Sequence, residues 1–128
     1  MPNQNQKSNI KKYDLEERTA KFGEDVIDFV KTIKRNEINL PLISQLVRAA
    51  TSIGANFMEA DGAESGKDFK HKIAICKKEA KETRHWLRMT AKANSDRADE
   101  CRNLWKEAHE LTLIFSSMLR PKKKESDV

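Results

Sequence analysis

From Asn36 to Glu59 the chain reads N-E-I-N-L-P-L-I-S-Q-L-V-R-A-A-T-S-I-G-A-N-F-M-E, and Arg48 is the only charge between Glu37 and Glu59. Charged residues make up 35% of the protein, so a nearly uncharged stretch of this length needs a physical reason. A helix that is apolar or small on nearly every side is one that is surrounded on nearly every side. The spacing predicts a helix from about Leu40 to Ala60, with Leu42, Leu46, Ala49 and Ile53 along one side. Ile43, Val47, Ala50, Gly54 and Phe57 lie along the next. Ala49, Ala50, Ser52, Gly54 and Ala55 are small enough to admit another backbone. Burial against a second copy of the chain is the reading this pattern favours, and a cyclic ring is the simplest closure for a heterologous contact. The alternative is a helix covered only by its neighbours within one bundle.

Those neighbours are also helical. At 128 residues the chain is long enough for one domain with its own core, and 4 Gly and 3 Pro leave little to break long helices. Residues 1–12 are polar and predict a loose N-terminal arm, 13–120 the bundle domain, and 121–128 a basic tail. Helix 1 is expected from Tyr13 or Asp14 to Arg35, because Leu15, Phe22, Val26, Phe29 and Ile33 step along one face. Pro41 suits the first turn of helix 2. Ser65 or Gly66 opens helix 3, which runs to about Lys92. Asn94-Ser95-Asp96 forms a turn with two N-cap candidates. Helix 4 carries Cys101, Leu104, Ala108, Leu111, Phe115 and Met118 on a heptad-like seam and stops at Pro121. Short turns make neighbours antiparallel, so the fold class is all-α, an up-down-up-down four-helix bundle.

Charge is distributed unevenly. The net charge is +5, yet Lys67–Lys92 alone holds nine basic and three acidic residues, a surplus of six. Phe69, Ile73, Cys76, Ala80, Thr83 and Leu87 form the core seam of helix 3. Lys70, Lys77, Lys81, Arg84, Arg88 and Lys92 then cluster within an arc of roughly 80° on one flank. Asp68, Ile75, Glu79, Glu82 and Trp86 occupy the other. A coherent basic stripe can track a phosphate backbone of RNA or DNA, with Lys122, Lys123 and Lys124 of the tail assisting. The plainer reading is a solvated, solubilising face. On helix 2, Arg48 is expected to meet a carboxylate on another helix or subunit, or else to reach solvent at the helix edge. Ile75 and Trp86 are candidate apolar anchors for a subunit contact, the alternative being that Trp86 belongs to the core.

Catalytic candidates are poor, and no enzyme, metal or cofactor is expected. Glu82-x-x-His85 has the i, i+3 form of di-iron bundles, and Asp68-x-x-His71 echoes it, but both histidines fall nearly opposite the core seam. His109 reads as a surface residue of helix 4. Cys76 and Cys101 sit on apolar seams at different heights and do not suggest a disulfide. With no signal peptide and no span that would cross a bilayer, a cytoplasmic protein without membrane contact is expected.

The segment Gln45-x-x-Arg48-Ala49-Ala50-x-Ser52-Ile53-x-x-Asn56-x-x-Glu59 resembles the signature of the bacterial four-helix-bundle family of 23S rRNA intervening-sequence proteins. Asp68-Phe69, Ile73-Ala74 and the run Glu79 to Leu87 are also similar, and the resemblance covers roughly Tyr13 to Leu119. Phe57-Met58 is bulkier than the family's usual pair, and Ala60 stands where Gly usually follows the Glu. The resemblance implies a non-catalytic homo-oligomer, a homopentameric ring of basic subunits. Arg48, Ser52, Asn56, Glu59, Ile75 and Trp86 are candidates for its interface. A related branch, the accessory proteins of diversity-generating retroelements, implies a second possible partner, a reverse transcriptase with its RNA. Nucleic-acid binding through the basic stripe is the leading expectation, and a scaffold for such a polymerase is the alternative.

Overall fold

Pro41 stands third in a helix whose first amides have no partner within the helix, so its missing N–H is harmless. Upstream of it, the Asn36 side chain accepts hydrogen bonds from the amides of Ile38 (3.0 Å) and Asn39 (2.8 Å), which turns the chain into that helix. The computed structural model describes residues 4–121, with side chains from Asp14 onward. It is an up-down-up-down bundle of α1 (Gln4–Lys31), α2 (Asn39–Asp61), α3 (Gly66–Ala93) and α4 (Ala98–Leu119), with a 3-10 turn at Ser95–Arg97.

The sequence reading holds for the middle of each helix and fails at several ends. Helix α1 runs through Gln4–Lys12, a segment expected to lie in the arm. Nothing between Gln4 and Phe22 breaks a helix, and Gln and Lys are good helix formers. It stops at Lys31 rather than Arg35. Ser65 caps α3 by accepting from the Asp68 amide at 3.1 Å. Asn94 and Ser95, by contrast, cap neither the 3-10 turn nor α4 with their side chains. Lys122, Lys123 and Lys124 lie outside the described residues.

Asn94 is used differently. Its amide and that of Asn39 exchange reciprocal hydrogen bonds, Asn39 Nδ2 to Asn94 Oδ1 at 2.9 Å and Asn94 Nδ2 to Asn39 Oδ1 at 2.8 Å. Asn39 also donates to the Lys34 carbonyl at 2.8 Å, so this buried amide is satisfied. The pair ties the α1–α2 turn to the α3–α4 turn at one end of the bundle.

The core is one cluster from all four helices, with Phe22, Val26, Leu46, Ile53, Ile73, Leu87, Leu111 and Phe115 essentially free of solvent contact. A smaller cluster of Phe29, Ile33 and Cys101 lies nearer the asparagine pair. Where α1 crosses α2 the residues are small: a Cβ on Gly54 would come within 3.4 Å of Thr19 Oγ1. The contacts run α1 to α2, α2 to α3 and α3 to α4 along the helices, while α1 and α4 meet mainly through side chains. Arg18 closes that last seam, donating to both carboxylate oxygens of Glu107 at 2.7 Å and pairing with Glu110 at 3.0 Å. At the turn end Arg97 donates to the Thr32 carbonyl (3.0 Å) and hydroxyl (2.7 Å) and lies over the Phe29 ring.

Within the chain, α2 is not enclosed. Ser44, Thr51 and Ala55 are exposed on it, together with Leu40 (48%) and Met58 (61%), and Ile38 just before it is 63% exposed. Its apolar character is not used up by α1 and α3.

Candidate nucleic-acid interface

Helix α3 lies between α2 and α4, so its two flanks meet different partners. On the α2 side the polar residues of the helix 2 signature form a continuous seam. Arg48 donates to Glu79 at 3.0 Å and to Glu82, and its Nε donates to Gln45 at 3.1 Å. The Ser52 hydroxyl donates to the Arg48 carbonyl (2.6 Å), Asn56 Nδ2 to the Ser52 carbonyl (2.8 Å), and Glu59 pairs with Lys72 at 3.6 Å. Trp86 Nε1 donates to Glu82 at 3.2 Å. The Arg48 guanidinium, with help from Trp86, holds the Glu82 carboxyl below the usual carboxylate range, against a smaller opposing effect of burial.

Arg48 therefore meets carboxylates on another helix of its own chain, while its side chain stays 45% exposed. Glu79 is the unexpected member. Its side chain is only 7% exposed, and Arg48 is its partner. Arg48 supplies the counter-charge that a carboxylate in so buried a place needs. Of the candidate interface residues, Arg48, Ser52, Asn56, Glu59 and Trp86 all belong to this seam, and Ile75 is half-buried on the same flank.

The α4 side is built differently. Lys70, Lys81, Arg88 and Lys92 are exposed and Lys77 is half-buried, and among the described residues none of the five forms an ion pair. Arg84 is set apart from the rest of the stripe. Its Nη1 lies 2.6 Å from His109 Nδ1, and its guanidinium sits 5.6 Å from the centre of the Trp105 ring. Because a guanidinium only donates, His109 Nδ1 must accept, which places the imidazole proton on Nε2. His109 in turn stacks on Trp105, with centroids 4.9 Å apart and planes 13° from parallel. His109 was expected at the surface; it is half-buried in this stack because α4 turns that edge toward α3.

Beside the stack, α3 and α4 enclose a groove of about 440 Å3. Leu87, Ala91, Ala98, Cys101 and Trp105 form its floor, and Arg88, Arg102 and Lys106 stand at its rim. Sequence reasoning found Arg88 but missed Trp105, Arg102 and Lys106. Their spacing on α4 is visible in the sequence, but their facing Arg88 depends on how α4 is rotated against α3. A shallower depression along α3 is lined by Ala74, Lys77, Lys78 and Lys81.

Nucleophilic chemistry has little footing here. Burial pushes the Cys76 thiol up to about 12 and the Cys101 thiol up to about 11, so neither supplies thiolate near neutral pH. His71 and His85 are exposed, and among the described residues no three His, Cys, Asp or Glu side chains converge on a metal-sized site. No helix among these residues is long and apolar enough to cross a membrane.

The fold is shared with a solved protein. A crystal structure of a protein of unknown function from the S23 ribosomal protein family of Bacteroides thetaiotaomicron superposes with a TM-score of 0.73 at 25% identity. The match covers 84% of this chain and 99% of that one. No curated protein matches the sequence. The family model described as 23S rRNA-intervening sequence protein matches residues 11–117, which takes in the α2 signature, the Arg48–Glu79–Glu82 seam and the basic flank of α3. The chain belongs to the family of 23S rRNA-intervening sequence proteins.

Proposed function

We propose that this protein is a non-catalytic, cytoplasmic homo-oligomer that binds RNA or DNA electrostatically through the basic surface shared by α3 and α4. The observation that carries the reading is the row of unneutralised cations on one flank of α3, Lys70, Lys77, Lys81, Arg88 and Lys92, on a helix whose other flank pairs Glu79, Glu82 and Lys72 with residues of α2. Charges kept apart from carboxylates are available to phosphates, and binding of this kind releases counterions. The exposed apolar residues Ile38, Leu40 and Met58 around α2 support self-association, with a pentameric ring as the number that the family resemblance implies. Repeating the flank around such a ring would multiply its field.

Filter binding of labelled RNA and DNA across a salt series tests the first part. Affinity should fall steeply with salt for both, and a flat or blank titration overturns it. A reverse transcriptase that co-purifies in place of nucleic acid would assign the surface to a protein partner instead. Light scattering tests the second part: an assembly mass of several protomers is expected, and it should collapse toward one protomer in L40E/M58E.

A further inference from the structure

We propose that the α3–α4 groove holds single-stranded nucleic acid, one base stacking on Trp105 while Arg88, Arg102 and Lys106 hold the flanking phosphates. This narrows the nucleic-acid reading above and rests on it. At about 440 Å3 the groove is of a size that takes a small planar ligand. Three of its lining residues are cations and none is a carboxylate. The nearest acid to Arg102 is Asp99 at 3.2 Å, and Asp99 is 92% exposed, so this pair restrains the guanidinium weakly.

Trp105 is already fixed. The 2.6 Å contact between Arg84 and His109 puts both on the same side of the indole. Groups on opposite faces, at 4.9 and 5.6 Å from its centre, would be separated by nearly the sum of those distances. The other face is left without them, and neither Arg84 nor His109 lines the groove. An immobilised aromatic surface loses little entropy when a base stacks on it, and every base has a face to offer. In a duplex those faces are stacked on one another, so a single strand is what this floor selects. Arg88 belongs to both the groove and the α3 stripe, so a backbone crossing the groove can continue along Lys81 and Lys92.

Two measurements test this. In W86F, Trp105 is the remaining tryptophan, and its emission is followed while a decamer of uridylate, or a blunt duplex of the same length, is added. The single strand should quench Trp105 and the duplex should not. In filter binding, W105L should bind the single strand at least about fivefold more weakly, with an unchanged salt slope and unchanged duplex affinity. Equal binding of the single strand by W105L and wild type overturns the proposal, as does equal quenching by duplex. A change in Trp105 emission with protein concentration alone, blocking the response to oligonucleotide, overturns the proposal and gives the groove to a second copy of the chain. Failure of wild type to bind either nucleic acid removes the broader function. Salt-dependent binding indifferent to Trp105 removes this inference alone.

Discussion

The two flanks of α3 both carry charged side chains and handle them in opposite ways. Toward α2, every charge in the seam has its counter-charge: Arg48 spans Glu79 and Glu82, and Lys72 meets Glu59. Toward α4, the lysines and Arg88 have no carboxylate against them among the described residues, and the aromatic element is a stack beside an open groove. The first arrangement neutralises its own field and holds two helices together. The second leaves a field that extends into solvent. Charge in a sequence does not distinguish these cases; only the identity of the opposing residue does.

That contrast can be broken by mutation. R48A should have the largest effect, because it leaves Glu79 buried without a cation. A loss of about 2–3 kcal/mol in urea unfolding is expected, below the full cost for a wholly buried pair because Arg48 is half exposed. Adding E79Q to R48A should recover much of it, and a double mutant no more stable than R48A would show that the seam is not electrostatic.

A smaller loss of about 1 kcal/mol is expected for E82Q at neutral pH. Because Arg48 holds the folded Glu82 carboxyl below its unfolded value, its contribution is complete above the ordinary carboxylate range. It is lost as pH falls through the lowered folded value. The stability gap between wild type and E82Q should therefore close on acidification, and a gap that widens would contradict the assignment. Least of all should stability respond to R88Q/R102Q/K106Q, within about 0.5 kcal/mol. The same variant should lower the salt slope of single-strand binding by about two units, the share of three phosphate contacts.

What could be read from the sequence was the apolar frame. Leu15, Phe22, Val26, Phe29 and Ile33 are buried as their spacing required, and so are Ile73, Cys76, Ala80, Thr83 and Leu87. Such positions are dictated by one helix's own period. What could not be read depends on pairs distant in the chain. Asn39 is polar yet only 1% exposed, because its partner Asn94 arrives 55 residues later. Glu79 could be placed on a flank, but not beneath Arg48. His109 and Trp105 acquire meaning only through the rotation of α4 that brings them to Arg84. For the same reason the basic stripe was legible on α3, while its extension to Arg102 and Lys106 was not.

The seam between α1 and α4 has a consequence of its own. Backbones approach closely at three of the bundle's four edges, while at this one the apolar contacts of Phe29 and Ile33 with Cys101 and Leu104 are joined by the guanidinium groups of Arg18 and Arg97. Ionic strength weakens such fastenings and leaves oily contacts intact. The molecule thus has one margin whose grip dissolved ions partly set, and added salt should loosen α1 from α4 before it loosens α2 from α3.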